Sequence, residues 1–322
     1  MYVVEYKELD GISLPISRIV FGNAIPAMIM GQDESQFLNH ILELGINTFE
    51  TARVYGEAER VMGNWMSQCG CRDKVIIIDK GAHPLPDTQE SRVNPKAIQE
   101  DLNTSLEALQ TDYVDLYLLH RDDKKQPVGP LIEKLNELKE NGKIRLFGVS
   151  NWTVRRIEEA EEYAYQKDLE PFAISSVNYG LAQQVLDPWG GGCVSISGPE
   201  NVEDRRWYLQ QQLPVLAYSP LAHGLMSGKI HTNELNRVTE VLDSYSVRGY
   251  CCRENYERLR RAELIAEKKK ATVAQVVLSW LLNQPLEPYV VLSASTAERM
   301  EENCKALDLE LTREEMQYLN LE

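Results

Sequence analysis

Gly45-Ile46-Asn47-Thr48-Phe49-Glu50-Thr51-Ala52-Arg53-Val54-Tyr55-Gly56 reads as a short strand running into a loop, with a carboxylate at the strand end and a phenol five residues later. Two later stretches repeat the form. Val75 to Gly81 is an apolar strand that ends in Asp79-Lys80-Gly81, and Tyr113 to His120 is an apolar strand that ends in His120. A single strand can end in any polar residue. Three successive strands that deliver Glu and Tyr, then Lys, then His form a constellation, because a parallel barrel gathers the C-terminal ends of its strands on one face.

Outward from these strands the same unit recurs. Tyr2 to Ser17 predicts two short strands around Asp10-Gly11, a hairpin signal of the Asp-Gly type. Arg18 to Gly22 predicts a further strand, and Asp33 to Leu44 carries Phe37, Leu38, Ile41 and Leu42 at helical spacing. After Tyr55, the residues Ala58, Val61, Met62, Trp65 and Met66 share one helical face, which makes Trp65 a core residue. Asn94-Pro95 opens a helix as cap and first-turn proline, and Asn141-Gly142 stops the helix that runs from Leu131 to Glu140. Strands are expected at Ile144 to Val149, Phe172 to Val177, Pro214 to Tyr218 and Tyr289 to Leu292. Helices are expected at Thr153 to Lys167, Asn201 to Gln212, Ala297 to Leu307 and Thr312 to Leu319. Two more fall between Ser219 and Pro288, one of them opened by the capping box Thr272-Val273-Ala274-Gln275. Strands alternating with helices eight times predict the α/β class: a (β/α)8 TIM barrel with an N-terminal β-hairpin and extra C-terminal helices, as one domain over residues 1–322. A doubly wound sheet needs a Gly-x-Gly-x-x-Gly turn after an early strand, and the sequence has none.

Composition narrows the partners. With 43% hydrophobic and 26% charged residues the 322-residue chain has the balance of an ordinary soluble protein. Its formal net charge of −15 leaves no basic footprint for a nucleic acid. The opening Met1-Tyr2-Val3-Val4-Glu5-Tyr6 lacks a basic and then apolar leader, and no run approaches the ~18 apolar residues of a membrane span, so a cytoplasmic location is expected. Cysteines at 69, 71, 193, 251, 252 and 304 make neither a disulfide scaffold nor spaced zinc pairs; reduced thiols and no metal site are expected.

In order along the whole chain, the strand ends resemble those of the aldo-keto reductases, whose Asp, Tyr, Lys and His tetrad sits on a (β/α)8 barrel closed at its floor by a hairpin. The resemblance implies an NAD(P)H-dependent oxidoreductase with Tyr55 as proton donor and Lys80 as the cation beside it. It makes His120 the donor that orients the substrate oxygen, and Glu50 the carboxylate that holds Lys80. The chemistry requires such a cation: a free phenol with a pKa near ~10 is mismatched to neutral pH by about 4 kcal/mol. One member departs from the pattern. Glu50 stands where the family has Asp, an arm longer by about 1.5 Å. Taken singly, each of these residues has a plainer reading: a loop aromatic, a solvated lysine, a capped or core histidine.

The same resemblance assigns a cofactor side. Ser150 and Asn151 match the pair that hydrogen-bonds the nicotinamide carboxamide. Tyr218, in Ala217-Tyr218-Ser219-Pro220-Leu221, matches the aromatic stacked on the nicotinamide ring, and Ser176 stands where the family has Gln. Leu221 to Lys229 resembles the loop that wraps the pyrophosphate, with Gly224 and Gly228 for close backbone approach; its plainer reading is a turn. Ser293 and Ser295 replace a lysine-containing turn, while Arg299, Glu302 and Asn303 stand where the 2′-phosphate and adenine are held. Arg299 points to NADPH, and the missing lysine at Ser293 leaves NADH open. On a solvated helix face Arg299 can instead partner Glu302. Asn23 to Met28, His83, Arg121 to Asp123, Trp189 and His223 are candidate pocket walls for a small carbonyl substrate, an aldehyde, ketone or keto-sugar. The alternative is a cofactor-binding, redox-sensing regulatory subunit such as the potassium-channel β subunits of this family. Oligomeric state is not legible.

Overall fold

The computed structural model describes residues 4–322. The first residues of the Met1 to Tyr6 opening and of the Tyr2 to Ser17 hairpin therefore lie outside the described residues. Strands β1 (Tyr6–Lys7) and β2 (Ile16–Ser17) pair antiparallel, Tyr6 opposite Ser17, as the hairpin the sequence predicts. Eight parallel strands follow: β3 (Ile19–Gly22), β4 (Thr48–Glu50), β5 (Ile76–Gly81), β6 (Val114–Leu119), β7 (Ile144–Ser150), β8 (Ser175–Asn178), β9 (Val215–Tyr218) and β10 (Tyr289–Leu292). They close a barrel in the order β10-β3-β4-β5-β6-β7-β8-β9, with helices between them.

By contact the chain groups into two compact units, one of Glu5–Ser176 with Ser293–Ala297, the other chiefly of Val177–Leu292 and Glu298–Glu322. In the first unit, every residue of β5 and β6 is buried, which explains their nearly unbroken apolar runs: a parallel strand is covered on both faces and has no reason to alternate. The helix Ala58–Cys69 buries Val61, Met62, Trp65 and Met66, and Trp65 Nε1 donates to Oδ1 of the exposed Asn39 at 2.8 Å, so its one polar atom is satisfied at the edge of the core. Gly63 lets this helix approach Pro95–Leu109, since a Cβ there would stand 2.3 Å from the Ala108 carbonyl oxygen. Asn94 caps that second helix through the Ala97 amide.

The second unit holds more helix than the sequence predicts. Between Ser219 and Pro288 it has Ser244–Tyr250, Arg253–Lys269 and Val273–Leu282, besides short turns of helix at Ala222–Gly224, Thr232–Arg237 and Val238–Val241. The Thr272 capping box is complete in both directions. Two further expectations are corrected. The sixth barrel strand lies at Ser175–Asn178 rather than Phe172–Val177. Cys69 and Cys71 are joined in a disulfide rather than reduced: Gly70, left-handed at φ +59, ends the helix between them and brings their Cα atoms to 5.3 Å. The other four cysteines are in no disulfide among the described residues.

Among the described residues no helix is long and apolar enough to cross a membrane. No group of three or more His, Cys, Asp or Glu side chains there is placed to hold a metal ion.

Candidate active site

Three adjacent strand ends of the first unit bring the candidate residues together. Backbone bonds carry the ladder past the strands: Thr51 N to Ile78 O (2.8 Å), Arg53 N to Lys80 O (2.9 Å) and His120 N to Gly81 O (2.8 Å). These fix Glu50, Lys80 and His120 against one another. Tyr55 sits on the turn after β4, where its N–H donates to Ala52 O at 2.9 Å. That turn is pinned from outside. Glu57 N donates to Ile29 O at 3.1 Å, and a Cβ on Gly56 would stand 2.6 Å from the same carbonyl oxygen.

Inside this frame Lys80 Nζ makes an ion pair with Glu50 Oε1 and donates to Thr51 O at 2.9 Å; the two charged side chains are only 3% and 7% exposed. The ammonium also lies 4.9 Å from the centre of the Tyr55 ring. The His120 ring meets Tyr55 edge-on, centroids 5.8 Å apart, and meets His83 at 4.8 Å. Burial pushes the Lys80 ammonium well below the usual lysine range, and the Arg121 guanidinium acts the same way. Burial likewise holds His120 well below the usual histidine range, with Lys80, Arg121 and His83 adding to it, so the ring is neutral at physiological pH. A neutral imidazole carries one N–H to offer an oxygen. The arrangement can therefore hold a carbonyl oxygen between a phenol and an imidazole, with a buried cation behind the phenol.

Directly before Lys80, Asp79 is wholly buried on the opposite face of β5, and neither of its oxygens has a hydrogen-bond partner among the described residues. Burial pushes its carboxyl up to about 6; the nearby Lys80 amide, the Ser105 hydroxyl and the Arg53 charge oppose that, and the Asp101 charge adds to it. A folded value above the unfolded one means that the native state binds the extra proton. Stability is thus lost as pH rises from the unfolded value of 3.8 through 6. Asp79→Asn should gain about 2 kcal/mol on the parent between about pH 4.5 and about pH 7.5, measured by urea unfolding. A difference that does not change with pH would show that Asp79 does not titrate there.

Three cofactor candidates of the first unit, Ser150, Asn151 and Ser176, also lie together. Ser150 lies opposite Ser176 in the β7–β8 register, and Asn151 N donates to Ser176 O at 2.9 Å. Asn151, left-handed at φ +63, donates its amide to Ser150 Oγ at 3.0 Å and His120 O at 3.3 Å. Ser150 Oγ thus accepts, and its proton has no acceptor among the described residues. A buried hydroxyl with a proton to give suits a carboxamide oxygen, so this donor set fits a nicotinamide. Ser293 is exposed, but its hydroxyl is spent on Gly22 O at 2.6 Å, and Ser295 is exposed.

In the second unit Tyr218 ends β9, and the chain after it turns through left-handed Ser219, Ala222, His223 and Gly224, which folds Leu221 to Lys229 back on itself. Gly224 and Gly228 are required for their φ of +102 and +80 rather than for space, since a Cβ would meet only ordinary contacts at Gly224 and none at Gly228. Lys229, Arg299 and Glu302 are exposed, while Asn303 is buried. Trp189, 39% exposed, stands edge-on to Tyr218 (6.1 Å) and His223 (4.9 Å) and beside Tyr245 (6.1 Å). Reading the sequence missed two parts of the site. The Thr51 carbonyl that receives Lys80 carries no side-chain signal; Asp79 did, as a carboxylate in an apolar strand.

At successive strand ends of a parallel barrel stand a buried lysine–carboxylate pair, a phenol and a histidine. Residues 19–320 match the model of the aldo/keto reductase family, and the chain belongs to that family. It is 26% identical to versiconal hemiacetal acetate reductase of Aspergillus parasiticus, over 98% of this chain and 96% of that protein. It is 27% identical to aldo-keto reductase str7 of Strobilurus tenacellus, over 89% and 81%. It is also 29% identical to a putative voltage-gated potassium channel subunit beta of Schizosaccharomyces pombe, over 84% and 78%.

Proposed function

We propose that the protein is an NADPH-dependent reductase of small aldehydes, ketones or keto-sugars, with Tyr55 as proton donor. The observation that carries this reading is the Lys80 ammonium, buried between the Glu50 carboxylate and the Tyr55 ring. When bound, the nicotinamide supplies hydride to the carbonyl carbon. Ser150, Asn151 and Ser176 hold the carboxamide and Tyr218 the ring face. By the family resemblance, Ser219, Leu221, Gly224 and Lys229 would serve the pyrophosphate, and Ser293, Ser295, Arg299, Glu302 and Asn303 the adenosine end. His120 donates to the carbonyl oxygen and orients it, and Tyr55 delivers a proton there as negative charge develops. Lys80 stabilises the phenolate left behind, and Glu50 keeps Lys80 in reach.

Oxidation of NADPH followed by absorbance against a panel of aldehydes, ketones and keto-sugars tests the reading. Turnover above the substrate-free background is the expected result. Tight cofactor binding with no turnover on any of them would favour the redox-sensing subunit, a reading supported by the resemblance to channel β subunits.

Arg299→Ala should weaken NADPH more than NADH by about 1.5 to 3 kcal/mol, because only NADPH carries the 2′-phosphate that a guanidinium can grip. Fluorescence titration with both cofactors measures it. Equal losses would make Arg299 a helix-surface residue.

A further inference from the structure

Beside the histidine of the tetrad lies a positive charge that the tetrad does not use. Arg121 follows His120 directly, and its Nη1 donates to His120 O at 3.0 Å. Its own carbonyl accepts Trp152 Nε1 at 3.3 Å, so the backbone is held from the β7 side. The guanidinium is half-buried, and among the described residues no carboxylate lies within ion-pair distance of it. The two acids next in sequence are turned to other tasks. Asp122 pairs with Arg156 at 3.2 Å, and Asp123 Oδ1 accepts the Lys125 amide at 3.0 Å. Glu50, the acid of the site itself, is committed to Lys80. A half-buried guanidinium normally finds a carboxylate, because five N–H donors and a full charge are costly to leave uncompensated.

The surroundings sharpen the point. The chain as a whole carries −15, so its general field repels anions. An uncompensated cation beside the reacting histidine is a local exception. His83, next to His120, does not compete for an anion: its Nδ1 bonds the Pro84 carbonyl at 2.8 Å, which requires the proton there and leaves Nε2 of the neutral ring an acceptor. The charge of Arg121 is also felt in the site, as one of the influences that depress Lys80, His83 and His120.

We propose that Arg121 is a specificity-determining residue that binds an oxyanion, a carboxylate or a phosphate monoester, carried by the substrate near its reacting carbonyl. The inference deepens the reductase reading and rests on it. A planar fork of N–H donors matches either anion in bidentate fashion, and the partial enclosure of the guanidinium strengthens the contact relative to open water.

Two matched pairs separate the anions. Succinic semialdehyde is compared with its methyl ester, and glyceraldehyde 3-phosphate with glyceraldehyde, by NADPH oxidation on the parent, Arg121→Gln and Arg121→Lys. The expected result is a fall of about 10- to 100-fold in the charged-to-uncharged ratio of kcat/KM on Arg121→Gln, carried in KM and partly restored by Arg121→Lys. A fall in only one pair identifies the anion. Both members of each pair losing activity alike would make Arg121 a support for His120 and overturn the proposal. Should the parent reduce nothing, the reductase reading fails first. Calorimetric titration of the parent and Arg121→Gln with succinate and with inorganic phosphate, cofactor bound, then decides: binding lost only in the variant supports the anion site, and equal or absent binding overturns it.

Discussion

Tyr55→Phe is expected to lower carbonyl reduction by ~10² to 10⁴, the usual worth of a general acid, while cofactor affinity stays close to that of the parent. The substitution removes one oxygen and leaves the ring, so the edge contact with His120 and the approach of Lys80 to the ring face persist. The turn keeps its backbone bonds through the Tyr55 and Ala58 amides and the Ile29 carbonyl, none of which the substitution touches. Single-turnover kinetics with prebound NADPH would isolate the chemical step. Turnover within a few-fold of the parent would remove Tyr55 from the acid role, leaving His120 as the remaining proton source.

The second large effect concerns Glu50. Glu50→Ala leaves the Lys80 ammonium with the Thr51 carbonyl as its remaining described partner in a pocket that water barely reaches. Breaking a buried pair from one side costs roughly 3 to 5 kcal/mol of stability. The sign of its pH dependence follows from Lys80, whose folded pKa lies below the ordinary 10.5 and falls further without its partner. The unfolded chain then binds the extra proton. The deficit is complete below the folded value and shrinks as pH rises toward 10.5. Turnover should fall and its basic limb should move, because the charge that supports the phenolate is weakened. Glu50→Asp should keep activity: the observed ion pair shows that the longer carboxylate does not swing away from Lys80, and the shorter one has the family length. Thermal unfolding and turnover against pH on all three proteins measure both effects. If Glu50→Ala matched the parent throughout the profile, the carboxylate would have no part in the chemistry.

How much of this was legible in the sequence depended on what marked each element. Glu50, Lys80 and His120 end apolar runs, and a polar residue closing a buried parallel strand is visible without a fold. The helices with caps, at Asn94 and Thr272, start where their capping residues stand. Ser244–Tyr250 escaped because Ser, Val, Gly and Tyr are weak helix formers, and its one signal is the Asp243 side chain accepting the Ser246 amide. At the sixth strand the difference is one of bounds: Phe172 and Ile174 are buried and Ala173 N already donates to Phe147 O at 2.9 Å, while the regular register against β7 begins at Ser175. The unpaired state of Arg121 was out of reach for another reason. It depends on where Asp122 and Asp123 turn, and a sequence places both acids beside it.

The contact between Ile29 and the Tyr55 turn joins two properties that a reductase would gain from keeping apart. The acid's turn rests on the carbonyl of Ile29, at the end of the short helix Pro26–Ile29, and the pocket-wall candidates Asn23 to Met28 run directly into it. Gly56 has no room for a side chain against that carbonyl, so the turn cannot be shimmed from its own side. If the proposed reductase reading holds, selection for a new substrate acting through this wall also moves Tyr55, the proposed proton donor. Variants recovered there should change kcat and KM together.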